Sequence, residues 1–353
     1  MAYTVVDFPA EYFNTKLYTG TGATQSITGV GFQPDWVWTK SRSNAGYNHQ
    51  VHDVIRGANK VLWTNLTNAE GSADTNGFLS FQSDGFNLGA DTVYTEVNVS
   101  GQTYASWNWL ANGTGVSNTA GTISSTVSAN TTSGFSIVSY TGTGANATVG
   151  HGLGVAPKMM IVKNRSATAH WQVYHISTSN TASSQLSGTG TPDTASTYWN
   201  DTSPTSTLFS IGTGTPTNGS GNSIIAYCFA EVKGYSKFGS YTGNGSTDGT
   251  FTYTGFKPAF VLIKPSSIVG DWYLFDNKRI GYNDFNAQLY PNLSNAEAQD
   301  NKIDLFSNGF KIRSTGTSVN GSGTSYIYMA FSESPFVSSK AIPTTARWFA
   351  KTI

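Results

Sequence analysis

The chain has 353 residues; 11% are charged, 13% are aromatic, and its 20 basic and 20 acidic side chains cancel. Binding to nucleic acid or to anionic lipid needs an excess of basic residues, so neither is an expected partner. The apolar runs have the length of strands and fall far below the ~20 residues that cross a bilayer. We therefore expect no membrane insertion, and the first residues do not resemble a signal peptide.

Many small polar and aromatic residues with few charges are typical of an all-β protein with turn-rich connections. A net charge of zero favours association, so we expect an assembly of several chains. The one cysteine, Cys228, lies in the apolar run "SIIAYCFAEV". We expect its thiol to be buried and inert.

Three stretches of the chain share one plan. Each begins with Tyr-Thr-Gly-x-Gly and leads to a proline, with a lysine six residues further on. The five residues between the proline and the lysine form an apolar strand, "DWVWT", "KMMIV" or "AFVLI". Recurrence at this period predicts repeated structural units. The proline and lysine pairs are Pro34/Lys40, Pro157/Lys163 and Pro258/Lys264.

The likeness continues downstream. A second strand with period-2 alternation follows each lysine, at 49–53, 171–175 and 272–276. Each stretch ends on an aromatic strand. The first and third also share "NLTNAE" and "NLSNAE", which begin at Asn65 and Asn292. These hexapeptides are therefore a trace of duplication and not an isolated binding motif.

The predicted fold is all-β, with three tandem β-sandwich repeats of jelly-roll or concanavalin-like type. We place the repeats at 1–113, 114–235 and 236–336, the second being divergent, and a C-terminal tail at 337–353. The sequence leaves the sandwich topology open.

Charged residues recur at the end of the second strand, as Asp53/Arg56 and Asp276/Arg279. Such a pair can form an acid–base couple or a polar sugar pocket. An arginine fork also fixes a turn through a salt bridge, and we favour this structural role.

Glycoside hydrolysis would require two carboxylates about 5–9 Å apart. Glu70 and Glu297 could be paired with Asp53 and Asp276, but the spacing is not diagnostic. The carboxylate-rich strand of concanavalin-like glucanases is also missing. We therefore expect no enzymatic activity.

The spacing of histidine and cysteine residues gives little support to a metal or cofactor site. His49 and His52 fall on opposite faces of a strand, and so do His170 and His175. No cysteine–histidine spacing of zinc type occurs. We expect no cofactor and no metal, while calcium at a loop remains open.

Aromatic residues suggest both a core and a binding surface. Trp36 and Trp38 share one strand face, and so do Trp107 and Trp109; we predict a core or interface position for them. Loops on a rigid sandwich carry variable recognition surfaces. The candidate contacts with a glycan or partner are Tyr47, Asn48, Tyr198 and Trp199.

The opening "MAYTVVDFPAEYFNTKLYTGTG", the strands "GFQPDWVWTKSR" and "GFKPAFVLIKPS", and the closing "YIYMAFSESPF" resemble a family of repeat-domain virion proteins. These are uncharacterised virion or fibre-like proteins of marine tailed bacteriophages. The resemblance covers the first and third repeats and is weaker in the second. It carries no catalytic motif.

The resemblance implies a structural protein on the virion surface, made in the cytoplasm of the host bacterium. We expect a tail-fibre, spike or capsid-surface fibre that contributes to adhesion to host polysaccharide. Its expected partners are other virion proteins and further copies of itself, with a trimer favoured. The alternatives are a capsid decoration protein without receptor binding and, in another class, a polysaccharide-degrading enzyme.

Overall fold

The computed structural model describes residues 3–71, 76–91, 96–279, 283 and 286–337. The described chain is almost entirely strand and turn, as the composition predicts. Its helices are the short α1, Ser196–Trp199, and α2, Thr215–Asn218, besides two single 3₁₀ turns. The C-terminal tail predicted at 337–353 lies, except for Val337, outside the described residues.

Three large antiparallel sheets follow one another along the chain, each with smaller sheets beside it. The first group contains Phe13–Thr19 (β1), Gln25–Thr28 (β2), Trp36–Ser41 (β3), Gln50–Asp53 (β4), Leu62–Trp63 (β5), Phe78–Gln82 (β6), Gly85–Leu88 (β7) and Thr103–Trp109 (β8). The second contains Val116–Asn118 (β9), Ser125–Asn130 (β10), Phe135–Thr141 (β11), Ala147–Gly150 (β12), Met159–Asn164 (β13), Gln172–His175 (β14), Ala182–Gln185 (β15), Asp193–Thr194 (β16), Leu208–Ile211 (β17) and Ser223–Phe229 (β18). The third contains Ser236–Thr242 (β19), Phe251–Tyr253 (β20), Phe256–Pro265 (β21), Tyr273–Asp276 (β22), Asn286–Gln288 (β23), Ala298–Asp300 (β24), Ile303–Phe306 (β25), Gly309–Ile312 (β26) and Ser325–Pro335 (β27).

The strand order of the large sheets recurs. The first sheet has the order β1-β8-β3-β4-β5, and the third has β19-β27-β21-β22. The second contains the same run, β11-β18-β13-β14-β15, and is extended by β10 and β9 beyond β11 and by β16 beyond β15. In each case the first strand of the shared run pairs with the closing strand of the group: β1 with β8, β11 with β18 and β19 with β27.

A small sheet covers the outer face of each large sheet. These are β2-β7-β6, β12-β17 and β20-β26-β25, with β23 and β24 forming a further pair. Each large sheet and its small sheet enclose a separate apolar cluster. This two-layer packing is the arrangement of a β-sandwich.

The inner faces of the three large sheets meet in one central aromatic core. Trp36 of the first sheet stacks on Tyr227 of the second, with ring centroids 4.5 Å apart. Phe13 of the first stacks on Phe331 of the third at 5.3 Å. Phe229 of the second meets Phe331 edge-on at 6.0 Å. The three sheets therefore bury one shared surface.

Alternation in the closing strands explains how one strand serves two cores. In β18, Ile225, Tyr227 and Phe229 point into the central core. The alternate residues Ile224, Ala226 and Cys228 point into the outer core of the second sheet. A strand buried on both faces reads as a continuous apolar run. The expected burial of the Cys228 thiol is confirmed, and burial raises its pKa.

Replacing Trp36 by alanine tests the shared core. The indole is buried between the first and second sheets, so its removal leaves a cavity and should cost about 3–5 kcal/mol of unfolding free energy. Urea unfolding would measure the loss. Val269→Ala is the matched control, because the Val269 side chain is 68% exposed and its loss should change stability little. A similar effect of both changes would contradict this account of the core.

Candidate functional site

A buried charged cluster joins the first and second sheets. The Arg56 Nε–H donates to Asp53 Oδ2, and Arg56 Nη1 lies 3.2 Å from Glu70 Oε1. Glu70 also accepts two bonds from Arg165 of the second sheet, at 2.9 and 2.8 Å. The Tyr227 hydroxyl of that sheet donates to Asp53 Oδ2 at 2.8 Å. The predicted Asp53–Arg56 ion pair is thus the inner part of a tie between two sheets.

The same arrangement joins the third sheet to the first. Arg279 Nε donates to Asp276 Oδ2 at 2.6 Å and Arg279 Nη1 to Glu297 at 3.2 Å. Arg42 of the first sheet donates twice to Glu297, each time at 2.8 Å. Here the indole of Trp107 takes the place of the tyrosine, donating to Asp276 at 2.9 Å.

The boundary between the second and third sheets has neither carboxylates nor arginines at these positions. His175 stands where Asp53 and Asp276 stand. Its Nδ1 accepts from the Ser177 amide, so its Nε2–H donates to the Tyr328 carbonyl of the third sheet at 3.1 Å. Burial lowers the pKa of His175 to about 4. A neutral imidazole therefore replaces the charged set.

These carboxylates are poorly placed for acid–base chemistry. The side chains of Asp53, Arg56, Asp276 and Arg279 have no exposed surface. Burial is the largest single influence on the pKa of Arg56 and lowers it, but Asp53, Tyr227 and Glu70 together outweigh burial and hold the pKa above its usual value. Glu70 and Glu297, considered above as catalytic acids, are each bound by two arginines. The geometry favours cohesion between sheets.

Three buried lysines occupy equivalent positions on β3, β13 and β21. Lys163 donates to the carbonyls of Thr67 and Ala169, at 3.0 and 2.7 Å, and Lys264 donates to Thr189 at 3.1 Å. Burial lowers the pKa of each lysine to about 8; neighbouring Glu96 and Asp271 oppose the shift at Lys40 and Lys264. Two of the lysines thus hold a loop of the neighbouring group.

The loop residues predicted to bind a glycan or partner lie in two groups, Tyr47 and Asn48 in the first and Tyr198 and Trp199 in the second. Tyr47 is half-buried, and Asn48 donates to Glu96 at 2.8 and 3.1 Å. The Tyr198 hydroxyl donates to Asp193 at 2.9 Å.

The structure places Trp199 in the interior, whereas the sequence predicted it in a binding loop. Its side chain is fully buried in the outer core of the second sheet, where its indole donates to Ala182 O at 3.1 Å. Since α1 ends at Trp199 and turns the ring inward against Tyr174, this ring has no surface to offer a ligand.

An exposed aromatic surface lies instead on the outer face of the third small sheet. Phe251, Tyr253 and Phe306 are 44%, 56% and 41% exposed. Tyr253 and Phe306 lie on either side of Gly309, and Lys311 lies beside Phe251. We call these five residues the aromatic face. The sequence signal was the alternation in "FTY", too short to show which side faces solvent.

The equivalent face of the first small sheet is polar. Gly85 of β7 corresponds to Gly309, and its cross-strand neighbours are Thr28 and Gln82 where the third sheet has Tyr253 and Phe306. Ser26 corresponds to Phe251 in the same register. The scaffold therefore folds with polar residues here, so the three rings are not a requirement of the sheet.

Charges around the aromatic face are paired. The Lys311 ammonium bonds to Asp248, and Arg313 Nε lies 3.2 Å from Asp304 Oδ2. Lys311 is the main cause of the lowered pKa of Asp248. Two cations and two carboxylates leave this surface without net charge.

Among the residues that the structure describes, no three histidine, cysteine, aspartate or glutamate side chains are grouped to hold a metal ion. No helix within the described ranges has the length and apolar character to cross a membrane.

A comparison with protein-family models matches most of the chain. A family model described as a domain of unknown function, DUF7483, matches residues 8–335. No curated protein matches the chain. The matched range includes all three large sheets, so the model covers the whole arrangement and not a single sheet.

Replacing Arg56 by methionine tests the tie between the first and second sheets. Because Asp53 would be left buried without its counter-charge, we expect a loss of about 3–5 kcal/mol in unfolding free energy. Lys257→Met is the control: it removes an exposed ion pair with Glu333, for which the expected change is within about 1 kcal/mol. Chemical denaturation of both variants checks this. Equal effects would mean that the buried cluster does not tie the sheets.

The buried lysines predict a dependence of stability on pH. Their folded-state pKa of about 8 lies below the ordinary value of 10.5, so between these values the unfolded chain binds more protons. Stability should therefore be lost as pH falls from about 10.5 towards 8. The raised pKa of Cys228 opposes this trend in alkali, so the measurement is a difference between two chains. Between pH 8 and 10.5, the unfolding free energy of Lys163→Met should rise with pH less steeply than that of the parent. Identical slopes would contradict the lowered pKa of Lys163.

Proposed function

The chain belongs to the DUF7483 family, and we propose that it is a non-enzymatic adhesion protein of a virus particle that binds neutral glycans through its aromatic face. Glycan binding is supported by the exposed rings of that face. The assignment to a bacteriophage particle, and to tail fibre, spike or capsid surface, rests on the sequence resemblance described above.

The observation that carries glycan binding is the replacement of Ser26, Thr28 and Gln82 in the first sheet by three aromatics in the third. Exposed rings cost solubility and mark an interaction surface where the fold does not need them. Ring faces stack on the C–H faces of pyranoses, while nearby polar groups bond to sugar hydroxyls. Paired charges favour a neutral glycan over a polyanion.

The scaffold fits a display role. We infer that the three large sheets and their covers are three copies of one unit, packed around a shared core. Such a body holds its surface loops rigidly. Weak contacts of single sites with a glycan gain strength when many copies stand on one particle. Oligomerisation into a trimer, expected from the sequence, remains part of this proposal, and light scattering at several concentrations tests it.

The test exchanges the aromatic face for the residues of the first sheet, as F251S/Y253T/F306Q. Binding to laminarin, mannan and the sulfated polysaccharide fucoidan is measured by affinity electrophoresis. The parent should be retarded by a neutral polysaccharide. The variant should bind roughly tenfold or more weakly, since each aromatic contact contributes about 0.5–1.5 kcal/mol. Its unfolding midpoint should change little.

Val269→Ser, an exposed apolar change elsewhere on the third group, is the control and should bind like the parent. Retained binding in the triple variant would remove the aromatic face from the proposal. Retardation by fucoidan alone would contradict the neutral ligand. Absence of binding to any glycan, with tight binding to phage capsids, would favour the decoration role instead.

A further inference from the structure

The three large sheets differ in what lies beside the outer edges of β1, β11 and β19. In the second sheet, β10 pairs antiparallel with β11 over six residues, from Ser125 opposite Tyr140 to Asn130 opposite Phe135. In the first and third sheets, β1 and β19 are the last strands of the order. An open edge presents backbone N–H and C=O groups on which another strand can pair.

β10 occupies a groove between two groups. The Asn130 side chain donates to Ala111 O at 3.2 Å, and the Asn112 amide donates to Ser128 Oγ at 2.8 Å. Ala111 and Asn112 follow the closing strand of the first sheet. The strand thus pairs with the second sheet by its backbone and contacts the end of the first by small polar side chains.

The third sheet protects its edge in another way. The Phe238 amide on β19 donates to Glu231 Oε2 at 3.4 Å, and Glu231 also forms an ion pair with Lys237 at 2.8 Å. A carboxylate that accepts from an edge amide leaves that amide unavailable to an added strand.

At β1, Glu333 of the third group stands where Glu231 stands beside β19, but it pairs with Lys257 at 2.7 Å. Among the described residues, no amide of β1 bonds to it. β8 bonds to β1 through alternate residues, beginning with the Leu110 amide on Tyr12 O and ending with the Gly20 amide on Gln102 O. Antiparallel pairing therefore turns the backbone groups of Phe13, Thr15 and Leu17 away from β8. Among described residues, β1 has β8 as its single strand partner.

A groove runs along this edge. Its deep end is a cavity of about 50 Å³ between β1 and residues of the third group. Three residues that line it, Thr15, Asn277 and Ser332, each have a buried side-chain oxygen without a hydrogen-bond partner among the described residues. An open cleft continues beside Lys16 and Leu17. Buried polar groups of this kind call for a ligand that can hydrogen-bond.

We propose that the outer edge of β1 is a docking site for an extended segment of a second protein, which adds to the first sheet as an antiparallel strand. The segment takes the place on β1 that β10 takes on β11. This inference is independent of glycan binding and would explain how the adhesion protein is attached to its particle. Main-chain bonds supply affinity in this mode, and alternate side chains supply specificity.

The groove determines the chemistry of the segment. In β10, Asn130 and Ser128 bond to Ala111 and Asn112, which follow β8. The equivalent positions after Phe331 are Glu333 and Ser334, so residues of the segment opposite Phe13 and Thr15 would lie beside these two. Small hydroxyl or amide side chains fit this space, and proline does not, because it lacks the N–H. The chain's own residues 338–353 fit poorly in composition, since they include a proline, a tryptophan and a phenylalanine.

The probe is a synthetic peptide of residues 123–131, "ISSTVSANT", which contains the β10 sequence. Hydrogen exchange of the full chain is followed by NMR with and without the peptide. Without peptide, the amides of Thr15 and Leu17 should exchange quickly, while that of Lys16 is slow. The peptide should slow both edge amides by about tenfold or more.

Proline variants distinguish the loss of an edge amide from a loss of stability. Thr15→Pro and Leu17→Pro each remove an edge N–H that β8 does not use, so both should keep the parent's unfolding midpoint within a few degrees and lose peptide binding. Lys16→Pro removes an amide that bonds to β8 and should destabilise the chain by a much larger shift.

Unchanged exchange of the Thr15 and Leu17 amides on adding the peptide would overturn the proposal. So would equal peptide binding by a folded Thr15→Pro or Leu17→Pro chain. Slow edge exchange in the free chain that becomes fast when residues 338–353 are deleted would also overturn it, because the chain itself would then supply the occupant.

Discussion

The shared aromatic core is the constraint on which the rest of the structure depends. Each large sheet must be apolar on its inner face to meet the other two, and apolar on its outer face to hold a small sheet. Some polar groups of the central core bond across a sheet boundary. The indole of Trp171 donates to Trp63 O, and that of Trp272 donates to Gln185 O, each in the preceding group. Such bonds fix how the sheets meet.

The boundaries between the groups show what burial does to charge. At two of them, an aspartate, a glutamate and two arginines occur together; at the third, none of the four is found at the corresponding positions. Loss of one partner alone would leave a buried charge without compensation, which costs several kcal/mol. Replacement of the whole set by His175 and by Ser266, which stands in place of Arg42 and Arg165, avoids that penalty. The cluster thus behaves as one unit.

Much of the fold could be predicted from sequence because its signals are local. Strand alternation, the recurring Tyr-Thr-Gly-x-Gly and the i, i+3 pairs Asp53/Arg56 and Asp276/Arg279 lie within a few residues. The bond between Glu70 and Arg165 could not be predicted, because the two residues are 95 positions apart and meet only when the sheets share a core.

The sequence also does not determine which side chains of a short segment point inward. Trp199 lies in a loop-rich insert whose sequence suggests a surface, but a four-residue helix turns its ring inward. β20 has three residues, and "FTY" fits either face inward. Only the small sheet as a whole, with Thr252 buried and its neighbours exposed, decides which side meets solvent.

Recurrence within the chain gives an internal comparison that a single domain lacks. Features common to all three groups, such as the strand order and the buried lysines, follow from the scaffold. Features found in one group alone need another cause, because the same scaffold folds without them. The aromatic face and the edge of β1 are of this kind. The first replaces polar side chains that the first sheet retains, and the second leaves unpaired, among the described residues, edge amides of the kind that β10 and Glu231 bond elsewhere. Three groups with the same run of strands can thus share one core while their surfaces differ.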